Sequence, residues 1–165
     1  MNRDTTARLL RAGLLTGVTD GLWACVLALF FYHSTVTRLW QGVASVLLGK
    51  SALDGGTTTA LIGVLIHFGV AFGWSAVFLF VVMRSSWVRA QLASPNGVLK
   101  IASLYGPFIW IVMSLAVIPL FTHRPPAITF RWLVQVIGHI PFVGLPIVWS
   151  IARPGHSEQE RNTTA

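Results

Sequence analysis

The run Ala60 to Met83, ALIGVLIHFGVAFGWSAVFLFVVM, limits most severely what this chain can become. It carries no formal charge and a single histidine, His67. At ~1.5 Å rise per residue such a run is as long as a bilayer's hydrocarbon core is thick. Three other stretches read the same way, near 12–32, 101–121 and 130–151. The expectation is an all-α integral membrane protein: a four-helix bundle forming one transmembrane domain over residues 1–153. The last twelve residues, 154–165, form a polar tail expected to be disordered and cytoplasmic. Composition agrees, since 54% of residues are hydrophobic, only 10% are charged, and mean hydropathy is +0.69. Soluble domains carry about a quarter charged residues.

The net charge of +7 would suggest nucleic-acid binding in a soluble protein. Here the basic residues stand singly near the ends of apolar runs, where topology and contacts with anionic lipid are decided. Membrane lipids are therefore the expected partners, and nucleic acid is not. The amino-terminal tail, the loop after the second span and the carboxyl tail hold eight Lys and Arg, against four in the other two loops. The positive-inside rule then puts both termini in the cytoplasm. Cys25 is the one cysteine, so no intrachain disulfide can form.

Arg3, Arg8 and Arg11 precede the first apolar run, as in a signal peptide. That run, Ala12 to Tyr32, is longer than a signal core and lacks a small-x-small cleavage pattern, so it reads as a span. Leu22-Trp23-Ala24-Cys25 resembles a lipoprotein cleavage box only faintly, because apolar sequence continues to Tyr32. In the first connection, Val36, Leu39, Trp40, Val43, Val46 and Leu47 recur at helical spacing with Arg38, Gln41 and Ser45 between them. That pattern predicts an amphipathic helix over 36–48 lying in the interface, with Trp40 and Arg38 at headgroup level. Gly49-Lys50-Ser51 fails as a phosphate-binding loop, since Gly42 is misplaced and no strand precedes it. Asp54-Gly55-Gly56 and Ser94-Pro95-Asn96-Gly97 read as turns, and Gly106-Pro107, Pro119, Pro141 and Pro146 as kinks within spans.

The second and fourth spans echo each other when aligned at His67 and His139. Phe72-Gly73 then falls near Val143-Gly144, and each span ends on an arginine, Arg84 or Arg153. The first and third spans each start from a basic end and carry glycines, Gly13 and Gly17 against Gly97 and Gly106. Two similar helical hairpins in parallel orientation would give this layout. Composition alone would also make apolar helices look alike.

Several short motifs run in order along the chain: Asp20-Gly21, then Trp40-Gln41-Gly42-Val43-Ala44-Ser45-Val46-Leu47-Leu48-Gly49, then Asp54-Gly55-Gly56 leading to Gly63 and His67. Tyr105-Gly106, Gly138-His139 and Val143-Gly144-Leu145-Pro146 complete the set. In these the chain resembles an uncharacterised family of small bacterial four-span inner-membrane proteins, over roughly residues 10–153. The resemblance implies that architecture and a bacterial inner (plasma) membrane location. It implies no activity.

Asp20 most needs an explanation, because a carboxylate near the centre of a membrane helix costs about 2.5–3.5 kcal/mol. Counting helical rise from the span ends puts Asp20, His67 and His139 within one to two turns of a common level. Gln135, four residues before His139, shares its face. Three readings follow. The cluster Asp20, His67, Gln135 and His139 can be structural, holding helices together by hydrogen bonds while Gly63, Gly69 and Gly73 permit close approach. It can be a proton or ion relay in a small-solute or proton-coupled transporter, expected to be a homo-oligomer because four spans enclose little volume. Or His67 and His139 can be axial ligands of a haem b in a membrane cytochrome. The first reading implies no cofactor.

An enzyme is not expected. There is no His-Glu-x-x-His, Gly-x-Ser-x-Gly or Cys-x-x-Cys motif, and the carboxylates before the tail are Asp4, Asp20 and Asp54. Carboxylate-ligated metal chemistry is hard to assemble from these, and His33, His123 and His156 fall at span ends or in the tail. Trp40, Trp87, Trp132 and Trp149 suit interface anchoring, whereas Trp23, Trp74 and Trp110 sit deeper, as packing or lipid-facing residues.

Overall fold

The computed structural model describes residues 3–152 of the protein. The tail expected to be disordered lies outside them, as do Arg153 and His156. Among the described residues every regular element is helical. Four helices are long and apolar enough to cross a membrane, Arg3–Phe31, Gly56–Arg84, Gly97–Thr122 and Phe130–Ala152. The protein is thus a multi-pass membrane protein with four spans. The first span is α1 (Arg3–Val26) followed by a wide π turn, Leu27–Phe31. Helix α2 (Val36–Leu48) leads through a 3₁₀ segment, Lys50–Asp54, into the second span, α3 (Gly56–Phe80). A short helix α4 (Ser86–Leu92) precedes the third span, which comprises α5 (Gly97–Val112), a π turn at Met113–Val117 and α6 (Ile118–Thr122). The fourth comprises α7 (Phe130–His139), a π turn at Ile140–Gly144 and α8 (Leu145–Ala152).

Most spans reach past the expected limits because hydropathy marks only the apolar centre, while the helices continue through flanking polar turns. Helix α1 begins well before Ala12 and carries an Asp4–Arg8 ion pair of 2.8 Å at i, i+4. Helix α4 was not foreseen. Ser85 caps its start by accepting from the Val88 amide, and Val88 and Leu92, four apart, turn into the core. The turn at Ser94–Gly97 forms as expected, with Asn96 in the left-handed region. Gly49 and Gly56, at φ 78° and 60°, supply the backbone that reverses the chain on either side of the 3₁₀ segment.

The first and second spans meet along a ladder of small residues. Gly13, Gly17 and Gly21 recur every fourth residue on α1 and lie under Phe72, Phe68 and the His67 and Trp40 rings in turn. Small residues at this spacing let two membrane helices approach closely. The first and fourth spans are joined at the end carrying both termini. Arg8 and Arg11 of α1 donate to the carbonyls of Ile151 and Ser150, the last acceptors of α8. Cationic side chains at a helix C-terminus satisfy orphan carbonyls and offset the helix dipole. Arg89 does the same for Met83 and Arg84, at 2.9 and 2.7 Å. Basic residues expected to set topology thus also cap helices.

Just above this end lies the tightest packing. Phe78, Ile147, Val148 and Ile151 are fully buried with Ala102, Ile101 and Tyr105. The outward faces remain apolar and uncovered, as in Leu65 and Phe30, both 71% exposed, which suits lipid.

Two expectations about packing are corrected. Helix α2 forms over the expected residues, but Trp40 faces inward: its carbonyl abuts Gly63 and its ring lies 5.1 Å from that of His67. The helix stacks against α3 because Gly63 leaves room for its backbone, so Trp40 is no headgroup anchor. Of the three glycines expected to permit close approach only Gly63 does so, while Gly69 and Gly73 are exposed with open space beside them. Here the internal echo also fails, because Gly144, aligned near Gly73, is buried against the Ala102 carbonyl.

Candidate functional site

Asp20, His67 and His139 come from three different spans and line one cavity of about 320 Å³. Thr16, one turn before Asp20, lies on the same wall. Helix α2 supplies Val43, Val46 and Leu47, and the third span supplies Ile109, Trp110, Met113, Val117, Ile118 and Phe121. The wall is otherwise apolar. Trp74, also in the lining, packs against the buried core. Leu47 and Phe121 are 51% and 52% exposed, so the mouth lies between α2 and α6, away from the termini.

His67 is fixed by its neighbours. Its Nε2 lies 3.0 Å from the Gly17 carbonyl of α1. A carbonyl only accepts, so Nε2 carries the proton and donates. That leaves Nδ1, 3.9 Å from Asp20 Oδ2, as the position where a second proton would sit. This separation is an ion-pair contact and too long for a hydrogen bond. With Nε2 always protonated, neutral histidine presents a lone pair to the carboxyl, and charged histidine presents an N–H. The Asp20–His67 couple therefore offers two positions for a proton, the Asp20 carboxyl and His67 Nδ1.

His139 is held differently. Its Nδ1 donates to the Gln135 carbonyl of the preceding turn at 2.7 Å, and its ring tilts against Trp110 at 4.9 Å. This leaves Nε2 as its exchangeable nitrogen. The residue is 6% exposed and closes α7 where the helix widens into a π turn. Pro141 interrupts the regular ladder here, since it has no N–H to return to Ile137; Ile140 bonds that carbonyl, and the wide bond of the π turn runs from the Leu145 amide to the Ile140 carbonyl. The displaced backbone brings the His139 carbonyl against Gly106 of the third span. Two residues beyond the π turn, Pro146 cannot donate to Phe142, and that carbonyl is taken by Thr19 Oγ1 at 2.7 Å. Kink prolines thus tie the fourth span to the helix that carries Asp20.

Of the four residues expected to form the cluster, three line the cavity. Gln135 takes part through its main-chain carbonyl and does not line the wall, because its contribution follows from the i, i−4 geometry of His139. Sequence reasoning missed Thr16 and Trp110, whose Oγ1 and Nε1 are buried without a hydrogen-bond partner among the described residues. It read Trp110 as a packing or lipid-facing residue, and Thr16 gave no signal beyond its place one turn before Asp20. The ladder of Gly13, Gly17 and Gly21 was missed as well, although its four-residue spacing stands in the sequence.

A haem held by both histidines does not fit this donor set. His67 Nε2 is committed to the Gly17 carbonyl and Nδ1 faces Asp20, so ligation would require His67 to abandon both. No three His, Cys, Asp or Glu side chains among the described residues are grouped to hold a metal ion.

The arrangement can hold a proton in more than one place, at membrane depth, beside a volume open on one side. No protein-family model matches the chain, and neither a curated protein nor a solved structure matches it.

Proposed function

We propose that this is a non-enzymatic bacterial inner-membrane protein, with both termini cytoplasmic, that acts as a small proton-coupled carrier. The observation that carries this reading is the meeting of Asp20, His67 and His139 on one cavity, with His67 Nδ1 3.9 Å from Asp20, beyond hydrogen-bond reach, and His139 bonded to Gln135 through Nδ1 alone. A cluster that served only to fasten helices would satisfy its own groups, since unpaired polar atoms in a bilayer are costly. Ionisable side chains that remain at membrane depth mark substrate and proton paths. The basic caps at the terminal end support the orientation, and the mouth between α2 and α6 would then face outward.

The structural reading keeps one observation of its own, the His67–Gly17 bond between spans. Proteoliposomes containing a pH-sensitive dye separate the two. After an external pH jump, wild-type protein should move protons several-fold faster than Asp20→Asn. Equal rates, with Asp20→Asn changing only the melting temperature, would leave the cluster structural and overturn the carrier reading.

A further inference from the structure

We infer that the cavity takes a small lipophilic monocation, an ammonium carried on an apolar body, in exchange for the one proton of the Asp20–His67 couple. The inference rests on the carrier reading and names its solute class. Size is the first argument. An apolar cavity of about 150 Å³ holds a benzene ring, so about 320 Å³ admits a ring together with a compact head group. The wall is the second. Its one carboxyl is that of Asp20, and among the described residues no lysine or arginine lines it. Trp74 and Trp110 form part of the lining and the Trp40 ring stands beside His67. Indole faces attract cations, most strongly where water is excluded.

Charge balance decides the coupling. The titratable groups facing the cavity are Asp20 from α1, His67 from α3 and His139 from α7, while α2 and the third span contribute none. With one proton on the Asp20–His67 couple and His139 neutral, the cavity carries no net charge. A monocation entering alone would leave a buried charge without a partner, which an apolar surrounding opposes. If the proton departs to water through the mouth as the cation enters, Asp20 is a carboxylate, His67 is neutral, and the cavity is again balanced. An anion would need one further proton on the histidines and would meet the negative faces of the indoles.

Calorimetric titration of the purified protein in detergent with benzyltrimethylammonium tests this, in buffers of differing ionisation enthalpy. Binding should release one proton per cation, and the apparent Kd should fall by up to about tenfold per pH unit where exchange operates. The neutral shape analogue neopentylbenzene should bind without proton release. Asp20→Asn, checked for folding by its melting curve, should weaken the cation at least tenfold and leave the neutral analogue unchanged. Should that variant not fold, Val70→Phe, which fills the wall, should abolish binding of both. Cation binding without proton release, equal binding of both compounds, or no cation binding overturns the inference. Proton flux in vesicles that persists without cation binding would sink the solute class alone. Loss of both would sink the carrier reading as well.

Discussion

The two halves of the bundle solve the same problem in opposite ways. Toward the termini, Phe78, Ile147, Val148 and Ile151 are fully buried, and the helix ends are closed by Arg8, Arg11 and Arg89. Toward the loops, the same four spans separate around about 320 Å³ and turn three ionisable side chains inward. In the closed half, main-chain carbonyls at the helix ends have found cationic donors, although Ser150 Oγ is buried without a hydrogen-bond partner among the described residues. The hollow half keeps Thr16 Oγ1 and Trp110 Nε1 without partners and holds Asp20 at 3.9 Å from His67. One half is built for stability and the other for occupancy, and α1 runs through both. A change in the closed half should therefore cost folding, and one in the hollow half should cost binding.

Gly106→Leu should have the largest effect. Any side chain there meets the His139 backbone, which cannot move aside, so folded protein should be lost from size-exclusion profiles. A folded Gly106→Leu protein would mean that the third and fourth spans are not held apart by contact at this point. Phe78→Ala, in the closed half, should lower stability by about 3–5 kcal/mol, read by unfolding in denaturing detergent. A loss below about 1 kcal/mol would erase the distinction between the halves.

Thr19→Val tests the seam between the halves. It leaves the Phe142 carbonyl without its donor and should cost ~1–3 kcal/mol, with Thr19→Ser restoring most of it. Arg11→Ala should cost ~0.5–1 kcal/mol, since it removes one donor to the end of α8 near the surface. Val70→Ile should change stability by less than about 1 kcal/mol in either direction, because it grows into empty space. It sharpens the comparison if the melting temperature holds while ligand binding weakens.

The spans were legible to within a few residues at most ends because the requirement for backbone hydrogen bonding in lipid leaves helix as the one conformation open to a long apolar run. Asp20, His67 and His139 were legible as groups at a similar depth because helical rise converts residue number into depth. Trp40 was misread, since amphipathic spacing reports which side of α2 is apolar but not whether lipid or Gly63 meets it. Gly69 and Gly73 were misread for a related reason, as a small residue permits close approach without requiring it. Helix α4 had its signal in Ser85, Val88 and Leu92, but the short span of that pattern between two basic residues resembled a loop.

The amino-acid sequence by itself determined the number of spans, their order, and the place of each ionisable group along its span. These are one-dimensional quantities, set by hydropathy and by a fixed rise per residue. Rotation of each helix about its axis is not such a quantity, because lipid on one side and protein on the other are both apolar. Only the tertiary structure decided it, through the glycine ladder under Phe68 and Phe72, the Gly106–His139 contact and the kinks at Pro141 and Pro146. Those contacts turn Asp20, His67 and His139 toward one cavity, and with different contacts the same residues at the same depths would face three separate ways.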